Sequence, residues 1–329
     1  MIKILLKWLI PAGLLLCLPS LGYAACTLPA STASFGSLTT FVANSTVNAT
    51  TTNANVNCGS GSALSLLGNN QITFQLTGAT NVSGTRGTLK RSGDTGSDNV
   101  PVRLCTDSAC ASELTIGGAA YVYGSQTLVN LAGLLGSLNF AIPVYLRTVP
   151  GQVVAAGTYQ VTLNMAVTYR VCTSVSVGNV CLSEQNGSGV IPITVTATLT
   201  NDCTTITSPN ISFGSAPLVG SFSAVSQTIN VLCSKGSTYT VGLSNGSYPV
   251  SSVRNMASGT NRLSYEIYKG TTSNRWGASG TERWSSTTST AVSADGLTRG
   301  FNYTARILTT QATPPAGNYS DSVVVDLAF

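Results

Sequence analysis

Every second residue from Tyr159 to Val171 is apolar: Tyr159, Val161, Leu163, Met165, Val167, Tyr169 and Val171 share one face. A period of two predicts a strand with one buried side. A second run, Val190 to Thr200, turns Ile191, Ile193, Val195, Ala197 and Leu199 inward and mostly threonines outward. A third, Tyr319 to Phe329, sets Tyr319, Val323, Val325, Leu327 and Phe329 on one face and Ser320, Ser322 and Asp326 on the other. The first run is followed by a further strand and the third is not. The pattern therefore predicts one complete unit and a second that lacks its final strand.

The landmarks repeat in order. Cys26, Ser34-Phe35-Gly36-Ser37 and Val56-Asn57-Cys58 in the first half return as Cys203, Ser212-Phe213-Gly214-Ser215 and Val231-Leu232-Cys233. Later, Phe140 to Leu146 followed by Ala156-Gly157-Thr158-Tyr159 is matched by Phe301 to Leu308 followed by Ala316-Gly317-Asn318-Tyr319. Internal repetition of this kind implies two tandem domains, at 25–200 and 201–329. Short alternating strands separated by Gly, Ser and Asn predict an all-β chain of two immunoglobulin-like β-sandwich domains. Two ordinary sandwiches with no special edge remain an alternative. A sandwich one strand short would expose backbone donors, acceptors and an apolar trough, which natural proteins avoid.

Composition sharpens the class. Only 8% of residues are charged, and the formal net charge is +5. Without Lys3 and Lys7 it is +3, spread out with no basic stripe, so no nucleic-acid partner is expected. The first 24 residues read as a secretory signal: Lys3, Lys7, an apolar run around Leu14 to Leu18, Pro19, then Gly22-Tyr23-Ala24-Ala25. Acylation of Cys26 after lipoprotein processing is the competing reading, weakened by Tyr23 where such signals favour Leu. Of nine cysteines, Cys17 leaves with the signal. The remaining even number suits an oxidising compartment, and the repeat pairs them as Cys26–Cys58, Cys105–Cys110, Cys172–Cys181 and Cys203–Cys233. No histidine is present, which removes a Ser-His-Asp triad and, with no C-x-x-C pairs, a zinc site. The acidic residues form no paired catalytic motif. No enzyme activity, cofactor or metal is expected. Asp94 and Asp98, in a Gly/Ser-rich turn, invite a calcium reading, though a hairpin turn explains them.

The C…FG…C opening, the strand Leu263 to Tyr268 followed by Trp276-Gly277, and the Pro315 to Val323 ending (PAGNYSDSV) resemble the spore coat protein U family, the pilin type of archaic chaperone–usher pili. The resemblance covers the second domain closely and the first more loosely. A two-domain member with an intact first domain is similar to the tip adhesins of Csu-type pili. That resemblance implies strand addition at a sheet edge: a periplasmic chaperone holds the groove open, an outer-membrane usher exports the subunit, and the next subunit's N-terminal segment fills the gap. The implied acceptor groove is lined by Ile211, Phe213, Tyr319, Val323, Val325, Leu327 and Phe329. A mature chain beginning at Ala25 has no segment to donate, an expectation that places it at the pilus tip on the cell surface.

Strand direction sends three first-domain loops to the end away from the second domain. They carry Ala63, Leu64, Leu66 and Leu67; Leu128, Val129, Leu131, Leu134 and Leu135; and Val175, Val177 and Val180. The second domain is shorter or more polar at the same places. The expectation is a hydrophobic contact surface, for abiotic or host material, that starts biofilm. Two readings compete. In one the leucines cap the sandwich core; in the other the chain is a structural coat subunit or a lectin-like tip that uses Trp276 and Trp284.

Overall fold

The computed structural model describes residues 25–60, 69–93, 95–125, 127–128, 137–175 and 181–329. The proposed signal segment lies outside them. Among the described residues the first half contains β1 (Ser31–Thr39), β2 (Ala49–Ser60), β3 (Gln71–Ala79), β4 (Val82–Ser83), β5 (Arg86–Arg91) and β6 (Asn99–Cys105), followed by β7 (Glu113–Leu114), β8 (Tyr121–Gly124), β9 (Ser137–Thr148), β10 (Gly157–Val175) and β11 (Cys181–Thr200). The second half contains β12 (Cys203–Thr207), β13 (Val225–Cys233), β14 (Thr240–Leu243), β15 (Arg254–Ser258) and β16 (Asn261–Lys269), then β17 (Trp284–Ser285), β18 (Ala291–Val292), β19 (Thr298–Ile307) and β20 (Val325–Ala328). The chain is nearly all β, in two tandem sandwich-like units.

Alternation along β10 and β11 does what period two requires. Tyr159, Val161, Leu163, Met165, Val167 and Val171 are fully buried, as are Ile191, Ile193 and Val195. Each such side chain removed from water contributes about 1.5–3 kcal/mol, while the threonines between them face outward on β-favouring backbone. In the first unit hydrogen bonding runs continuously through β1-β11-β10-β5-β6-β9-β2. β1 and β2 come back against one another, so the sheet folds over a single core. The second unit is divided into β12-β13-β19-β16-β15 and β17-β14-β20, with a separate core centred on Trp276, Phe301, Val241 and Val231.

Four disulfides join Cys26–Cys58, Cys105–Cys110, Cys172–Cys181 and Cys203–Cys233. The first and last each tie the opening segment of a unit to the strand that follows it, β2 or β13. Between the units, Ser234 accepts a hydrogen bond from the Asp202 amide (2.8 Å) and its hydroxyl meets that of Thr40 (2.6 Å). Lys235 donates to Asp98 at 2.5 Å, and the other Asp98 oxygen accepts from the Ala155 amide. Asp98 thus serves the junction between units. Among the described residues no cluster of metal-ligating side chains forms.

Candidate functional site

The first unit shows a groove that its own chain has filled. β11 lies between β1, which it meets in parallel, and β10, which it meets antiparallel. Val195 stands opposite Ala33 on one side and Val161 on the other, and Ile193 stands opposite Ser31 and Leu163. The β1 register shifts between Ser34 and Ser37. There Gly36 takes a positive φ of 74° and its amide donates to the Ser34 hydroxyl. Only glycine holds that conformation without strain. At the start of β10, Tyr159 donates its hydroxyl to the Ala155 carbonyl at 2.7 Å.

The same local devices recur in the second unit with nothing between them. Gly214 has φ 72° and donates to Ser212, and Tyr319 donates to the Pro315 carbonyl at 2.7 Å. Residues 209–217, the counterpart of β1, form no ladder, and β20 pairs on one side only, with β14. Among the described residues no strand occupies the space that β11 fills in the first unit. Two adjoining cavities of about 430 and 480 Å3 open there, sharing Ile211, Phe213, Met256 and Tyr319 in their walls. Leu218, Val219 and Leu263 extend the first, and Leu243, Ile267 and Val323 the second.

Beneath the groove Tyr265, Tyr303, Arg254 and Arg275 each find a polar partner. Tyr265, nearly buried, donates its hydroxyl to Asp321 at 2.7 Å; burial first, and then the Asp321 carboxylate, push its pKa well above the ordinary tyrosine value. Tyr303 donates to Gln227, and burial raises its pKa to about 12. Arg254 is wholly buried: it pairs with Glu266 at 2.9 Å and donates to the carbonyls of Leu243, Ser244 and Trp276. Desolvation lowers its pKa, and these partners keep a buried cation tolerable. Arg275 bridges Glu266 and Glu282, so this wall is built as one network.

At the other end of the molecule the described stems of the three apolar loops converge. Ser60 pairs with Ser137, Gln71 with both Gly124 and Arg170, and Val175 with Cys181. Asn70, almost fully buried, ties them: its side-chain oxygen Oδ1 accepts from the Cys172 amide and its main-chain N–H donates to the Ser125 hydroxyl, each at 2.7 Å. β11 runs from Cys181 here to Thr200 at the junction with the second unit.

The spore coat protein U domain matches this chain over residues 16–166 and 190–326. The chain belongs to the spore coat protein U domain family. Its fold is similar to that of a subunit of the CsuC–CsuE chaperone–tip adhesion subunit pre-assembly complex from archaic chaperone-usher Csu pili of Acinetobacter baumannii, with 24% identity, a TM-score of 0.58, and 93% of this chain and all of that one covered. Weaker likenesses, too distant to carry an argument, are the CupB6 tip adhesin of Pseudomonas aeruginosa (15% identity, TM-score 0.35, 88% and 89% covered) and CfaE, the adhesive subunit of CFA/I fimbria of enterotoxigenic Escherichia coli (9%, 0.36, 92% and 93%). A search of the curated proteins finds no relative. The spore coat protein U domain family is one of non-enzymatic proteins, and this member is not an enzyme.

Placed on this spore coat protein U fold, the residues singled out in the sequence divide. Ile211, Phe213, Tyr319, Val323 and Val325 come together as groove walls. Leu327 packs on the core beside the cavities. Phe329 does not line them: it is 72% exposed and stacks edge-on against Tyr239, on the side of β14. The predicted strand from Tyr319 shortens to Val325–Ala328 because its outer neighbour is missing. Leu128, expected on the contact surface, is instead fully buried in the first core. Val175 ends β10. Ala63, Leu64, Leu66, Leu67, Val129, Leu131, Leu134, Leu135, Val177 and Val180 lie outside the described residues, as does Asp94. Trp276 and Trp284 are buried against each other, and their indole nitrogens donate to the carbonyls of Val241 and Thr288, which leaves no face for stacking a sugar. Sequence reasoning missed Met256, Tyr265 and Asp321. Asp321 was visible as the one acidic residue on the apolar face of its run, aligned with Val161.

Proposed function

We propose that this protein is the adhesive tip subunit of an archaic chaperone–usher pilus. The second unit receives the strand of a neighbouring subunit in the groove between residues 209–217 and 319–325, after a periplasmic chaperone has kept it open and an outer-membrane usher has passed the subunit to the cell surface. One observation carries the reading: a single chain holds two versions of the same groove, one filled by β11 and one open. The first unit needs no partner to close, and its loop stems gather at the end remote from the groove. That arrangement suits a contact surface, which we assign to the apolar loops acting on hydrophobic material, abiotic surfaces included, to begin biofilm.

The second groove offers strand addition both main-chain bonding and alternate side-chain pockets. A ligand that binds only the folded state raises apparent stability in proportion to RT ln(1 + [L]/Kd). A peptide with the sequence of residues 190–200, added in excess to the full chain, is therefore expected to raise the melting temperature of the second unit by several degrees and leave the first unit unchanged. A peptide with the same composition in scrambled order should do neither. Equal shifts for both peptides, or none for either, would remove the basis of the proposal.

A further inference from the structure

The two grooves differ at one chemically sharp position. Alignment of Tyr159 with Tyr319 sets Val161 against Asp321. Val161 is fully buried and faces Val195 of the inserted strand. Asp321 also turns inward, half-buried in the wall of the second cavity, among Ile211, Phe213 and Val323. Its Oδ2 accepts from the Tyr265 hydroxyl at 2.7 Å; its Oδ1 accepts from the amides of Ser247 at 2.7 Å and Ser322 at 2.8 Å. Among the described residues no lysine or arginine forms an ion pair with it.

An ionised carboxylate offers about four acceptor positions, so one on Oδ2 is left once these three bonds are counted. A strand closing over the groove takes that carboxylate out of water. Burying a charge is costly unless it is paired and hydrogen-bonded. An aliphatic residue across from it, as Val195 is across from Val161, would seal the remaining acceptor away from any donor.

We infer that Asp321 reads the incoming strand. The segment that completes the second unit runs parallel to residues 209–217 and antiparallel to 319–328, is apolar at its alternate inward positions, and carries a hydrogen-bond donor there only opposite Asp321: a hydroxyl or an ammonium group. This rests on the strand-acceptor reading and deepens it, since it gives the groove a register mark. A slip by two residues would place an aliphatic side chain on the carboxylate and the polar one in an apolar pocket.

The test uses the full-length protein and four peptides with the sequence of residues 190–200, bearing Val, Thr, Ser or Lys at the position of Val195, with affinities from titration calorimetry. The Thr, Ser or Lys peptides are expected to bind about tenfold or more tighter than the Val peptide, the scale of a hydrogen bond to a charged group. In Asp321→Val the order should reverse. Asp321→Asn, which keeps the shape and an acceptor for Tyr265, guards against a folding defect and should lose most of the Lys preference. If the Val peptide binds wild type as well as the others, or every variant keeps the same order, Asp321 reads nothing. If no peptide binds any variant, the strand-acceptor reading itself fails.

Discussion

Glu113 shows how few charged residues this chain needs to hold a sheet edge. It accepts from Arg86 at 2.5 and 3.0 Å and from Arg103 at 2.8 Å, so a carboxylate only 13% exposed joins β5, β6 and β7. Burial alone would raise its pKa; the bonds from Arg86 and Arg103 more than reverse this, and the group sits below the ordinary glutamate value of 4.5. A carboxylate depressed on folding stabilises the native state above its unfolded pKa, and that stabilisation disappears as pH falls through the folded value. The first unit should therefore lose stability in urea titrations as pH drops below about 5 toward 3. Glu113→Gln should flatten that limb and cost about 1 kcal/mol at pH 7, a figure kept low because both arginines are partly solvated. An acid limb of unchanged slope in Glu113→Gln would assign the acid loss to other carboxylates.

At the scale of elements, alternation made 159–171 of β10 and 190–200 of β11 legible because those stretches are flanked on both sides and buried along one face, so their inward positions are apolar; the first half of β11, where Gln185 is the buried residue, carries no such pattern. The repeated phrases marked where the two units match, and the structure adds what they build, a tyrosine hydrogen bond and a glycine turn in each. The 319–329 run lost its first half, since strand character belongs to a pair and among the described residues no strand stands on its outer side. Leu128 misled because a leucine between Thr127 and Val129 carries no local sign of which way it turns. Asp98 to Lys235 spans 137 residues of sequence, and a polar contact at that range leaves no periodicity to read. The remote end of the first unit yields a prediction at this scale. Three loops rise from stems pinned by Asn70, and any one of them could be no more than a cap on the core. Replacement of Leu66, Leu134 and Val177 together by Asp should reduce attachment to polystyrene by at least about tenfold, because several buried aliphatic side chains each contribute about 1.5–3 kcal/mol and multivalent contact multiplies the loss. Secretion and the thermal transition of the second unit should stay as they were. Attachment that survives the triple change would return those residues to the core-cap reading; Leu128, already buried, is left out of the variant for that reason.

Considered whole, a molecule acting as the proposed tip subunit has to pass load from its first unit to its second. From its loop end at Cys181 to Thr200, the 20 residues of β11 span about 60 Å if each rises by about 3.3 Å. The pull then crosses a junction only two residues long, Asn201 and Asp202, before β12 begins. Two residues of backbone fix distance but not angle. The angle is set on one side by Ser234, which binds Thr40 and Asp202, and on the other by Asp98, which binds Lys235 and the Ala155 amide. An exposed ion pair alone would contribute little, but Asp98 is only 9% exposed and also satisfies a main-chain donor, whose loss costs about 1–3 kcal/mol when the group stays buried. Asp98→Ala combined with Ser234→Ala should therefore free the two units from each other without unfolding either. Spin labels placed one per unit should give a distance distribution at least about twice as broad as in wild type, and the two thermal transitions should separate as their shared contacts disappear. A distribution as narrow in the double variant as in the native chain would mean that the short connection alone holds the units in line.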